Sequence, residues 1–247
     1  MSKAWVFVLC LCGFALGDSK PPGVRTSTWV REDLFAGFMV NDMSRFDQGL
    51  GKLEAVLAAE PDAPDAIAWR VAARLFLAVR AYEATGKLEE FESLYARARQ
   101  DYDRAGELAL NPGQKEAVAA IASGSYTLFS DRLPEPYRQD GWAKARENLL
   151  ALRELQKDFF DRLPLHMRGE VLAGLAQAAQ RLGESAEASS RLRELIDALP
   201  DSPYAARARR WREKPEIAAR TSLTCQTRHE PGRLQAVLQQ IHEQKKQ

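Results

Sequence analysis

"GEVLAGLAQAAQRLGESAEASSRLRELIDALPDS", residues 169–202, is the stretch whose reading decides the fold. Leu172 and Leu175 fall at helical spacing, and Ala176 stands beside them as a small residue. Gly183 interrupts the pattern, Ala188 supplies a second small residue, and Pro200 closes the stretch. Proline has no amide hydrogen and disfavours the helical region for the residue before it, so Leu199-Pro200 marks an end. Small residues at 176 and 188 let two helices approach closely while large ones fill the sides. The stretch therefore predicts two packed helices joined at Gly183.

The same rhythm extends outward. From Trp29 to Lys214 apolar residues recur at three and four, Ala, Leu, Arg and Glu dominate, and no Val/Ile-rich alternation suggests a sheet. Breaks fall at Gly49 to Gly51, Glu60-Pro61, Gly86, Asn111-Pro112, Leu133-Pro134, Leu163-Pro164, Gly183 and Leu199-Pro200. The pattern predicts helices near 29–43, 46–59, 65–84, 87–109, 114–130, 137–161, 166–182 and 185–199, and a ninth over 203–213.

Residues 169–202 resemble a tetratricopeptide repeat, with Leu172, Leu175, Ala176, Gly183, Ala188 and Pro200 at its large, small, turn and terminal positions. A second window, 30–63, is similar, with Gly37 at the small site, Pro61 at the end and Gly49 in place of the usual alanine. "GELALNP" at 106–112 closes a further unit whose two helices exceed the repeat length. The resemblance implies an all-α fold: antiparallel helix pairs stacked over residues 29–214 as a right-handed solenoid. An irregular α-helical bundle is the competing architecture. In that family the inner face binds peptides or protein partners. Carried over by position, it comprises a first set, Arg31, Leu34, Phe38 and Asn41, in the window 30–63, and a second set, Glu170, Ala173, Gln177 and Gln180, in residues 169–202.

The amino terminus has the parts of a secretory signal over residues 1–17: Lys3, an uncharged and mostly apolar run from Ala4 to Leu16, and small residues around Gly17. Thirteen helical residues reach about 20 Å, short of a hydrocarbon core about 30 Å thick. Residues 18–28 then read as a linker. Cleavage after Gly17 removes Cys10 and Cys12 and leaves Cys225 as the one cysteine. It also removes Lys3, which brings the 35 lysines and arginines level with the 34 acidic residues. A balanced chain has no general attraction to nucleic acid or anionic lipid.

Motifs for catalysis are sparse. There are three histidines, His166, His229 and His242, and no G-x-S-x-G, phosphate loop or H-E-x-x-H. His166, at a helix start, reads as a possible ligand or base, or as a surface or packing residue. Trp69, Trp142 and Trp211 sit at packing spacing. "ARARRWREK" at 206–214 reads as a cationic helix edge.

Residues 215–247 form an irregular tail ending in a short helix from Leu234. Within it, "CQTRH" at 225–229 resembles the haem-attachment run C-x-x-C-H of c-type cytochromes, with Arg228 in place of the second cysteine. The resemblance implies Cys225 as the thioether thiol and His229 as the iron ligand, while Arg228 cannot form a thioether. A zinc reading from Cys225, His229 and His242 lacks a fourth ligand. The expectation is an exported, periplasmic or secreted helical-repeat scaffold or adaptor that binds a protein or peptide partner, without catalysis, cofactor, nucleic acid or stable membrane insertion. The alternative is an electron-transfer protein with haem c on its tail.

Overall fold

The computed structural model describes residues 26–224. Among them are nine α-helices and three short 3-10 turns, and no strand. The signal-like residues 1–17, and Cys225 and His229 of the tail, lie outside the described residues. The described chain divides into two compact units, with the boundary after Ala122 inside α5 (Pro112–Phe129).

The first unit holds α1 (Thr28–Val40), α2 (Met43–Ala59), α3 (Pro64–Thr85) and α4 (Leu88–Leu108). α1 stops three residues before its expected end. Asn41 adopts a left-handed conformation (φ 57°), its N–H reaching Gly37 O at 3.1 Å while Asp42 N–H reaches Ala36 O at 3.0 Å. This crossed pair of bonds satisfies the last carbonyls of a helix. The Asp42 carboxylate then accepts the Arg45 N–H at 3.1 Å and starts α2, so two residues end one helix and begin the next. Gly49 and Gly51, read as a break, lie inside α2. A Cβ on Gly49 would meet Asp33 Cβ at 2.9 Å, and one on Gly37 would meet Phe46 Cβ at 2.7 Å. Both glycines therefore serve close approach of α1 and α2.

The core of this unit is aromatic. Phe46 and Phe76 are fully buried, and Phe38 packs on them with ring centroids 6.0 and 5.1 Å away. Ion pairs stitch its flanks: Arg45 and Lys52 hold the buried Asp33 carboxylate, and Arg70 forms a two-pronged pair with Asp101 at 2.7 and 2.8 Å. Burial alone would push the Asp33 carboxyl up, but the hydrogen bonds and charges of Lys52 and Arg45 hold it below the usual range.

The second unit contains the rest of α5, then α6 (Tyr137–Gln156), α7 (Leu165–Arg181), α8 (Ser185–Ala198) and α9 (Pro203–Glu213). The expected helix 137–161 ends at Gln156, and a 3-10 turn over Phe160–Arg162 takes its place before Pro164. α7 and α8 pack together as anticipated: Leu172, Leu175, Ala176 and Ala188 are all buried. Gly183 (φ 78°) turns the chain between them, a conformation costly for any residue with a Cβ. The Ser202 hydroxyl accepts the Ala205 N–H at 3.1 Å and caps α9, with Pro203 at its first position. Trp69, Trp142 and Trp211 are all buried, as packing residues should be. Among the described residues no helix is long and apolar enough to cross a membrane.

Candidate functional site

The second unit carries a cleft of about 1040 Å³. Its walls come from the end of α7 (Gln180, Arg181), from α9 (Arg207, Arg210, Trp211), from the start of α6 with the residues before it (Asp131, Glu135, Arg138, Gln139), and from the chain after α9 (Pro215, Ile217 and residues 219–222). Five arginines line it against two carboxylates.

Arg181 organises the cleft. Its Nε and Nη2 donate to the Asp131 carboxylate at 2.8 and 2.9 Å, and its guanidinium sits 5.8 Å from the Trp142 ring and 5.7 Å from Trp211. The same group donates to the carbonyls of Ala218 and, at 3.1 Å, Thr221. A planar guanidinium with five fixed donors suits this combination of carboxylate, carbonyls and flanking rings. Trp142 Nε1 donates to Asp131 at 2.9 Å and Trp211 Nε1 to Thr221 Oγ1 at 2.8 Å, so both indoles stay hydrogen-bonded while buried.

One turn back on α7, Gln177 is buried and its Oε1 accepts the Leu223 N–H at 2.7 Å and the Ser222 hydroxyl at 2.9 Å. From α9, Arg207 Nε donates to the Leu223 carbonyl at 2.9 Å. Leu223 is thus held by both of its backbone groups through side chains of two different helices, with its own side chain fully buried. These bonds recognise main chain, and the segment that they hold, residues 221–224, is not helical.

Of the second set of predicted inner-face residues, two lie in this region and two do not. Gln177 binds the segment, Gln180 lines the cleft, Ala173 is buried in the helix contacts, and Glu170 accepts the Tyr204 hydroxyl at 2.7 Å. His166 Nδ1 lies 2.9 Å from the same hydroxyl. The residue that read as a possible base is thus in an interhelix contact with α9. The first set is placed differently. Leu34 and Phe38 belong to the core of the first unit, Arg31 is buried and donates to the adjacent Glu32 at 3.1 and 2.8 Å, and Asn41 is exposed and accepts from Arg80.

Arg138, Arg181, Arg220 and Asp131 escaped the sequence reading. They are spread over about ninety positions and carry no local pattern. The usable signal was Arg207 and Arg210 in "ARARRWREK", one helical turn apart. The concave surface near Trp211, which a porphyrin held by the tail would require, is lined by Trp211, Pro215, Ile217 and Ala219 as well as by the arginines. No group of three or more potential metal ligands occurs among the described residues. No family model, curated protein or solved structure matches the chain.

Proposed function

We propose that this chain is an exported, non-catalytic adaptor built from tetratricopeptide-like antiparallel helix pairs, and that its second unit binds a non-helical peptide segment of a partner protein. The observation that carries the reading is the capture of Leu223 by Gln177 and Arg207. Gln177 stands at a position that the repeat resemblance assigns to the inner face, and its amide accepts a main-chain N–H there. Side chains aimed at backbone groups hold a strand of chain with little regard to its sequence, which is the property an adaptor groove needs. The cleft continues beyond this contact past Gln180, with hydrogen-bonding groups along its walls.

The test is direct binding. Short labelled peptides titrated against the chain from residue 18 onward are expected to bind, and methylation of their central backbone nitrogens is expected to abolish binding. Binding indifferent to backbone methylation would contradict the reading. Export is tested separately by fusing residues 1–17 to a reporter active only outside the cytoplasm, and an inactive fusion would overturn that part.

A further inference from the structure

We infer that the segment bound in the cleft is acidic, carrying Asp or Glu at alternate positions; this rests on reading the cleft as a peptide site. Two of the five arginines are already neutralised. Arg181 pairs with Asp131 at 2.8 Å, and Arg138 lies 3.2 Å from Glu135. Arg207, Arg210 and Arg220 have no carboxylate partner among the described residues, so among these residues the cleft carries more positive than negative charge. The chain as a whole is nearly balanced, with 35 basic and 34 acidic residues, so this charge is a local feature.

The spacing of the charges favours a strand over a single anion. Arg207 and Arg210 are neighbours one turn apart on α9, which separates their Cβ atoms by about 5–6 Å. Residues on one face of an extended chain recur about every 6.6–6.8 Å. Carboxylates at alternate positions would therefore meet the two guanidiniums in turn, with Arg220 facing them from the segment after α9. Gln180, one turn beyond Gln177, repeats on the cleft wall the amide that already accepts a backbone N–H. The chain's own residues 225–247 do not supply the complement: Arg228, Arg233, Lys245 and Lys246 outnumber Glu230 and Glu243.

The experiment uses the chain from residue 18 onward and fluorescence anisotropy of a blocked peptide alternating Glu with Ser. Two comparisons are made: the same peptide with Gln for every Glu, and the protein variant Arg210→Glu/Arg220→Glu. Both replaced residues are exposed, so the variant is expected to keep the parent's circular dichroism. The Gln peptide, and the variant with the Glu peptide, are each expected to bind about tenfold more weakly, and high salt should erase the difference. Equal binding of the Glu and Gln peptides would overturn the acidic preference and leave the peptide cleft standing. A variant that binds the Glu peptide as the parent does would overturn the assignment to these arginines. Failure of both peptides would overturn the peptide reading itself. Displacement of the Glu peptide by single-stranded DNA at lower concentration than by unlabelled peptide would show a nucleic-acid cleft instead.

Discussion

The tetratricopeptide resemblance would put residues 31–41 of α1 and 170–180 of α7 in one register, yet they face very different surroundings. In the first unit that stripe carries Leu34 and Phe38 between Arg31 and Asn41; both apolar residues are buried, and Phe38 packs on Phe46 and Phe76. In the second it carries Glu170, Gln177 and Gln180, and these meet a tyrosine hydroxyl, a backbone amide and an open cleft. Both stripes lean on small residues for close packing, Gly37 in one and Ala176 in the other. Leu34 and Ala173 are both apolar and buried, and Asn41 and Gln180 are both amides, so the contrast in chemistry rests on Phe38 against Gln177. An apolar stripe is drawn into a core because burial of each large side chain is worth about 1.5–3 kcal/mol, whereas buried amides must find partners and so recruit neighbouring chain.

The largest break of this contrast is Phe38→Ala. It should destabilise the first unit by roughly 3–5 kcal/mol, as removal of a core aromatic does, measured by urea denaturation. A loss below about 1 kcal/mol would place Phe38 on a surface and make the two stripes alike. Next, Ala188→Leu in the second unit should cost roughly 1–3 kcal/mol by overpacking the α7–α8 contact. A change below about 0.5 kcal/mol would contradict the close helix approach there.

Gln177→Leu keeps the volume but removes the acceptor of Leu223 N–H. It should cost about 1–3 kcal/mol of local stability. The readout is amide exchange: Leu223 should exchange faster while amides of the first unit are unchanged. Unchanged exchange at Leu223 would show that Gln177 does not hold the segment. The smallest effect concerns pH. Asp33 has a folded pKa below its unfolded value of about 3.9, so its contribution is fully present above that value and fades as pH falls through the folded pKa. Asp33→Asn should therefore flatten the acid limb of stability below about pH 4, and an unaltered limb would mean that Lys52 and Arg45 do not hold the carboxylate.

Much of the fold was legible because helix and pair signals are local. The apolar spacing, Gly183, Pro200 and the small residues at 176 and 188 lie within one window, and the structure places a packed helix pair there. Gly49 misled as a break because glycine marks both turns and close contacts, and only the neighbouring Asp33 tells which. The cleft was only half legible. Gln177 and Gln180 follow from register, but whether a register position ends in a core or a cleft depends on the neighbouring elements. Arg181 acquires its role from Asp131, Trp142 and Trp211, partners thirty or more positions away, and no spacing rule collects them.

The account is tested most directly by mapping backbone amide shifts of the chain from residue 18 onward as the alternating Glu peptide is added. Perturbation is expected to concentrate at Gln177 to Arg181, at Arg207 to Trp211 and at residues 218–223, with α1 to α4 silent. Shifts centred on α1, or none at saturating peptide, would contradict the claim that the second unit holds the binding cleft.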